Sequence, residues 1–178
     1  MFIETEYGNP VDSYLSRLSS GVQVTEILTL FTDFDGVLHP EFCHESKRFC
    51  RLSILEDILR AAPSVEIVIS STWRQLRAFD VLRAQFSPDI ASRVVGITPT
   101  YANLADIPDR LLGYQREAEC VAWLRAYRGS SVRWLALDDR PWLFRPFSTH
   151  LVQTDGKLGL DEVSAQALAQ RIQQMLRT

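Results

Sequence analysis

The sequence predicts an α/β domain with a largely parallel sheet. Short, wholly apolar runs of strand length alternate along the chain with longer amphipathic stretches, the order of elements that builds a parallel sheet with helices packed on it. Two of the apolar runs also end in paired aspartates, Asp33/Asp35 and Asp138/Asp139, where such sheets bind their ligands.

Residues 24–31 (VTEILTLF) read as the first strand, running into the acidic turn Asp33-Phe34-Asp35-Gly36. Over 51–62, Leu52, Leu55, Ile58, Leu59 and Ala62 share one helical face, and Pro63 stops the helix. Residues 65–69 (VEIVI) form a second buried strand, followed by Ser70, Ser71 and Thr72, any of which suits the N-cap of the next helix. That helix is expected over 73–86, with apolar residues at 76, 79, 82 and 86, ending at Ser87-Pro88. A third strand covers 93–97, and 98–115 is an irregular connection containing Pro99, Pro108 and Gly113. A helix over 116–127 runs to Gly129. The fourth strand, 132–137 (VRWLAL), then ends in Asp138-Asp139. Residues 150–153 make a short fifth strand. The helix over 161–176 places Asp161 and Glu162 at its positive end and Arg171 and Arg177 toward its negative end. Turn signals at Gly8-Asn9-Pro10 and Ser19-Ser20-Gly21 mark residues 1–23 as an N-terminal extension packed on a single domain over 24–178.

Composition narrows the class. At 178 residues and 46% hydrophobic content the chain has core enough to fold without a disulfide or a structural metal, which excludes a disulfide scaffold and a disordered segment. Cys43, Cys50 and Cys120 are odd in number and lack CxxC spacing, as expected in a reducing compartment, so a cytoplasmic location is the expectation. Residues 1–10 lack the basic start and apolar core of a signal peptide, and no apolar run approaches the ~18 residues of a membrane span, so no membrane association is expected. A net charge of -3 gives no overall basic character, although local patches stay open.

The acidic turns carry the chemistry. A calcium loop also uses Asp-x-Asp-Gly, but in that register Phe31 falls at the first ligand position and Phe42 at the twelfth, where acids are required, and a strand precedes it instead of a helix. A receiver domain would want its phospho-accepting Asp after the middle strand, where this chain has Ser70. His39, Cys43, His44 and Cys50 match no familiar zinc spacing.

In these features the sequence resembles the haloacid dehalogenase-like (HAD) superfamily of magnesium-dependent phosphatases and phosphotransferases. Asp33-Phe34-Asp35-Gly36-Val37 is similar to its first motif, Ser70 after VEIVI to its second, Arg116 opening a helix to its third, and Asp138-Asp139 after VRWLAL to its fourth. The resemblance covers roughly 24–155. The strings SSTWR and LDDR look most like compact members that are polynucleotide phosphatases or domains of RNA-repair proteins. It implies a Rossmann-like three-layer α/β/α sandwich.

It also implies roles. Asp33 is the expected nucleophile, forming an aspartyl-phosphate, and Asp35 the acid and base, with its carbonyl on the metal. An acid working near neutral pH needs a raised pKa, which burial beside other carboxylates would supply. Asp33, Asp35, Asp138 and Asp139 form the expected all-oxygen site for Mg²⁺, because acids meeting in one cleft repel unless a cation sits among them. Ser70, with the amides of Phe34 and Asp35, grips phosphate, and Arg116 offsets the charge on Asp33 and the phosphoryl group. Ser71 and Arg74 are further phosphate-binding candidates. Each has a plainer alternative: Asp139 or Ser71 as a helix cap, Arg74 as a structural ion pair, and Arg110 or Arg125 in place of Arg116. Arg140, Trp142 and Arg145 make either a nucleotide platform or core, and Trp73, Trp123 and Trp134 read as core.

Many relatives insert a cap domain after the first motif or after the third strand. Here 37–64 holds 28 residues, one helix included, and 98–115 holds 18, too few for a cap in either window. An open cleft suits a phosphate on a macromolecule, with RNA or DNA ends favoured by the local likeness. The loop from Thr98, with Tyr101 and Tyr114, is the expected place of substrate selection. Two further functions stay open: a small-molecule phosphatase completed by an oligomer partner, and a silent phosphate-binding module.

Overall fold

The structure, a computed structural model, describes residues 27–129 and 132–177. The extension expected over 1–23 lies outside the described residues, as does the start of the first expected strand.

Five strands, β1 (Leu28–Thr32), β2 (Val65–Ile69), β3 (Val94–Ile97), β4 (Arg133–Asp138) and β5 (Leu151–Gln153), form one sheet in the order β3-β2-β1-β4-β5. Every pairing is parallel, and Leu30 of β1 stands level with Ile67 of β2 and Leu135 of β4. Side chains alternate between the faces, as the period of a strand requires. On one face Leu28, Leu30, Val65, Ile67, Ile69, Leu135 and Leu137 meet the helices α1 (Leu52–Arg60), α2 (Phe79–Arg83), α3 (Pro88–Ala91) and α5 (Glu162–Arg177). On the other, Phe31, Val68, Trp134 and Ala136 meet Cys120, Trp123 and Leu124 of α4 (Gln115–Tyr127). Three layers result, the second face carrying a single α-helix among the described residues.

This path fixes where a ligand binds. From β1 the chain steps outward through α1 to β2 and β3, then returns across the sheet through α4 to β4. The sheet reverses its winding between β1 and β4, and the carboxyl ends of those two strands frame the crevice of the fold. Asp33 follows the one and Asp138 ends the other.

The helix expected over 73–86 is broken. Residues Thr72–Gln75 form a 3₁₀ turn capped by Ser71, whose Oγ accepts from Trp73 N at 3.4 Å, and α2 starts again at Phe79. Apolar spacing predicts a continuous face, yet Leu76 is 88% exposed while Leu82 and Phe86 are buried. The side chains of Trp73 and Arg74 reach the turns that follow β1 and β3, where they bond Asp35 and Thr98 O.

Among the described residues no cap domain occurs: the first window holds a loop, a 3₁₀ turn and α1, and the second holds two 3₁₀ turns, Tyr101–Asn103 and Asp109–Leu111. No helix of the described residues is long and apolar enough to cross a membrane.

Candidate active site

Asp33 is placed by the sheet. Its amide donates to Leu137 O at 3.1 Å, prolonging the β1–β4 ladder by one bond and bringing Asp33 beside Asp138. Ser70 is placed likewise, its amide donating to Thr32 O at 2.9 Å. The first turn of α4 then presents Arg116, buried, to all three: Arg116 Nη1 lies 2.9 Å from Asp138 Oδ2, 3.3 Å from Asp33 Oδ2 and 3.3 Å from Ser70 Oγ. Burial alone would lower the guanidinium, and Asp33, Asp138 and Glu119 more than offset it, so it stays charged.

Asp33, Asp138 and Asp139 form the only group of metal-capable side chains among the described residues, with one ligand atom from each within 4.8 Å of the others. Burial, with the Asp33 charge behind it, pushes Asp138 up to about 7 against the pull of Arg116. Burial, then Glu41 and Asp33, pushes Asp139 up to about 6. Asp139 Oδ1 is buried with no hydrogen-bond partner, Arg140 Nε standing 3.9 Å away. Two glycines line this carboxylate: a Cβ at Gly36, whose φ is +73°, would collide with it, and a Cβ at Gly156 would come within 2.5 Å of Oδ2. Crowded, under-compensated oxygens with an orphaned acceptor suit a hard divalent cation such as Mg²⁺.

Asp35 points elsewhere. Trp73 Nε1 donates to its Oδ2 at 2.7 Å and His39 Nε2 lies 3.1 Å from its Oδ1. His39 Nδ1 accepts from Phe49 N at 3.3 Å, which leaves Nε2 as the protonated nitrogen and the donor to Asp35. The His39 bond, against a desolvation cost and with Trp73 adding to it, holds the Asp35 carboxyl below its ordinary range.

The family model of the HAD domain in Swiss Army Knife RNA repair proteins matches residues 29–165. The chain belongs to that family. Among curated proteins and among solved structures no match was found.

Against the sequence-based expectations, this HAD domain brings Asp33, Asp138, Asp139, Ser70 and Arg116 together and leaves other candidates outside. The raised pKa expected of Asp35 is reversed, because two donors and a third of its side-chain surface open to water favour the carboxylate. Arg74 is buried, but its Nε donates to Thr98 O, its Nη1 to Ser70 O and Ser71 O, and its Nη2 to Pro99 O and Glu119. All five of its N–H groups are thereby engaged and none is left for phosphate, so the structural ion pair is the role the geometry shows. Ser71 Oγ caps the 3₁₀ turn, and the Phe34 amide donates to Asp33 Oδ1 at 2.7 Å. Arg145 makes two bonds to the buried Glu117 Oε1, at 2.9 and 2.7 Å, instead of flanking the site, and Arg140 pairs with Glu41 at 2.6 Å. Trp142 is 67% exposed, whereas Trp123 and Trp134 are core. Arg110 and Arg125 line a separate cavity with Arg145. The HAD domain also uses residues that sequence reasoning passed over. Glu41 and Glu119 carry no motif, and only their packing shows them. Trp73 could have been noticed for its polar handle, since a buried indole N–H needs an acceptor.

Proposed function

We propose that this HAD domain is a Mg²⁺-dependent phosphatase that hydrolyses a phosphomonoester through an aspartyl-phosphate on Asp33, at a polynucleotide end. One observation carries the reading: a single buried arginine nitrogen serves Asp33, Ser70 and Asp138 at once, within 3.3 Å of each, at the switch point of the sheet. Nucleophile, anion grip and metal-type acids therefore share one crevice. Membership of a family of RNA-repair domains supports the polynucleotide substrate.

In the first half-reaction an Asp33 carboxylate oxygen attacks phosphorus, the bond from phosphorus to the alcohol oxygen breaks, and Asp35 gives that oxygen a proton. In the second, water attacks phosphorus, its proton passes to Asp35, and the Asp33–phosphorus bond breaks to release phosphate. The Asp35 carboxylate held by His39 and Trp73 is the form that receives the proton from water. Acting as the acid, it must exchange one of those donors for the leaving oxygen. Arg116 stays charged and faces the equatorial oxygens, with Ser70 Oγ beside it. Asp33, Asp138 and Asp139, with the Asp35 carbonyl, would hold Mg²⁺, which supplies positive charge against the phosphoryl oxygens.

The test is hydrolysis of an aryl phosphate with and without Mg²⁺, for the wild type and Asp33→Asn. The substitution should abolish turnover by roughly three orders of magnitude or more. Equal activity in both proteins overturns the mechanism, and no activity in either leaves a phosphate-binding module.

A further inference from the structure

We infer that the cavity beside Asp35 is the leaving-group site and takes a nucleotide carrying a flanking phosphodiester. The inference rests on the proposed phosphatase reading, because it takes Asp35 as the group that protonates the leaving oxygen. A proton donor must lie within hydrogen-bond reach of the atom it serves, so the departing alcohol stands on the side that the Asp35 carboxyl faces. That side opens into a cavity of about 300 Å³ lined by Asp35, Phe42, Arg48, Trp73, Leu76 and Arg77. This volume lies at the lower end of the ~300–1,000 Å³ that small-ligand sites occupy.

The lining suits a base and a second phosphate. Phe42 and Leu76 are 98% and 88% exposed, and Phe42 sits at φ +56°, a left-handed conformation that favours glycine. Unstacked bases pack on apolar and aromatic side chains of this kind. Above the Trp73 ring lie two guanidinium groups, Arg48 at 5.5 Å and Arg77 at 5.1 Å from its centroid. Arg48 shares its charge with Glu45 at 2.9 Å, whereas Arg77 has no ion pair among the described residues. A small phosphomonoester brings no second anion to that cation, but a polynucleotide does. A second cavity, lined by Glu41, Arg116, Glu119 and Trp142 among others, is less suited to a polyanion. Its Arg140 is bound to Glu41 and its Arg74 to Glu119.

The experiment compares Arg77→Ala, Phe42→Ala and the double variant with wild type, using Arg83→Ala as a control for the loss of an exposed charge. Turnover of 3′- and 5′-phosphorylated oligonucleotides and of a phosphopeptide is measured against an aryl phosphate, and binding of a fluorescent oligonucleotide without a terminal phosphate is measured by anisotropy. In the double variant kcat/KM for the oligonucleotide should fall roughly ten- to a hundredfold further than for the aryl phosphate, with the change mainly in KM. Anisotropy should report a similar loss of affinity, and Arg77→Ala should flatten its salt dependence. Arg83→Ala should leave the ratio of the two substrates as in wild type. An unchanged ratio with unchanged affinity overturns the inference. So does a loss seen only with a phosphopeptide, which would assign the cavity to a polypeptide. If the wild type turns over neither substrate the phosphatase reading fails, and anisotropy alone then decides whether the cavity binds polynucleotide.

Discussion

Two acidic corners of the same crevice are built in opposite ways. At the β1 turn, Asp35 receives two side-chain donors, stays partly open to water and is held below its ordinary range. At the end of β4, Asp138 and Asp139 are buried beside Asp33 and pushed up, with Arg116 the main compensation for one and no hydrogen bond to Oδ1 of the other. Carboxylates of identical chemistry are thus separated by surroundings alone, and such a separation is how a site divides proton work from charge-holding work. The first corner is complete as it stands, and the second asks for a cation.

Arg116→Ala should break the second corner most severely. It removes the buried cation that touches both Asp33 and Asp138 and leaves Glu119 to Arg74 alone, and uncompensated buried charge costs roughly 3–5 kcal/mol. Urea denaturation should show a loss of that order, greater at pH 8 than at pH 5, because protonation relieves the acids at the lower pH. Arg140→Ala is the comparison: its guanidinium is a third exposed and pairs with a partly exposed Glu41, so about 1 kcal/mol or less should be lost. Equal losses from the two substitutions would mean that the acids are not under-compensated.

A smaller effect follows from pH and Mg²⁺. The ordinary value for both acids is 3.8, against about 7 for Asp138 and about 6 for Asp139 in the fold, so between roughly pH 4 and 7 the folded protein binds more protons than the unfolded chain. Stability of the metal-free protein should therefore fall as pH rises through that window. Mg²⁺ needs the carboxylates ionised, so the Tm increase it gives should be several degrees at pH 8 and near zero at pH 5. Asp139→Asn should raise the metal-free Tm at pH 8 and shrink the response to Mg²⁺. A Mg²⁺ shift equal at both pH values would place the cation elsewhere.

The difference between the corners also explains what sequence reasoning could reach. The strands, their order along the chain and the acids at their ends follow from apolar runs, and the resemblance to the HAD motifs points to Asp33, Ser70, Arg116 and Asp138, which the fold brings together. The surroundings of Arg74 and Asp35 are less legible, because each has a partner far along the chain besides its local ones. Arg74 is consumed by carbonyls of 98 and 99 and by Glu119, and Asp35 by an indole 38 residues away. Hydrophobic spacing misplaced Leu76 because it assumes that an apolar residue seeks the core, whereas here the chain turns it outward beside Asp35.

The finest probe of the first corner is Trp73→Phe, which keeps an aromatic ring against Phe34 and Phe49 and removes the donor to Asp35. One hydrogen bond to a carboxylate that water can partly re-solvate is worth about 1 kcal/mol. Its pH signature is the reverse of the other corner. Asp35 is depressed from 3.8, so the stability it contributes is complete above about pH 4 and is lost as pH falls through its lower folded value. The deficit of Trp73→Phe should stay constant from pH 5 to 8 and close below about pH 4, in the range where the Asp138 and Asp139 effects have already ended. Combined with Asp35→Ala, the substitution should show a coupling of roughly 0.5 kcal/mol or more, and strict additivity would mean that the indole acts by packing alone. Catalysis supplies an independent reading. If Trp73 orients Asp35, Trp73→Phe slows an alkyl phosphate, which needs its leaving oxygen protonated, more than an aryl phosphate, which does not; a general loosening of the fold would slow both alike.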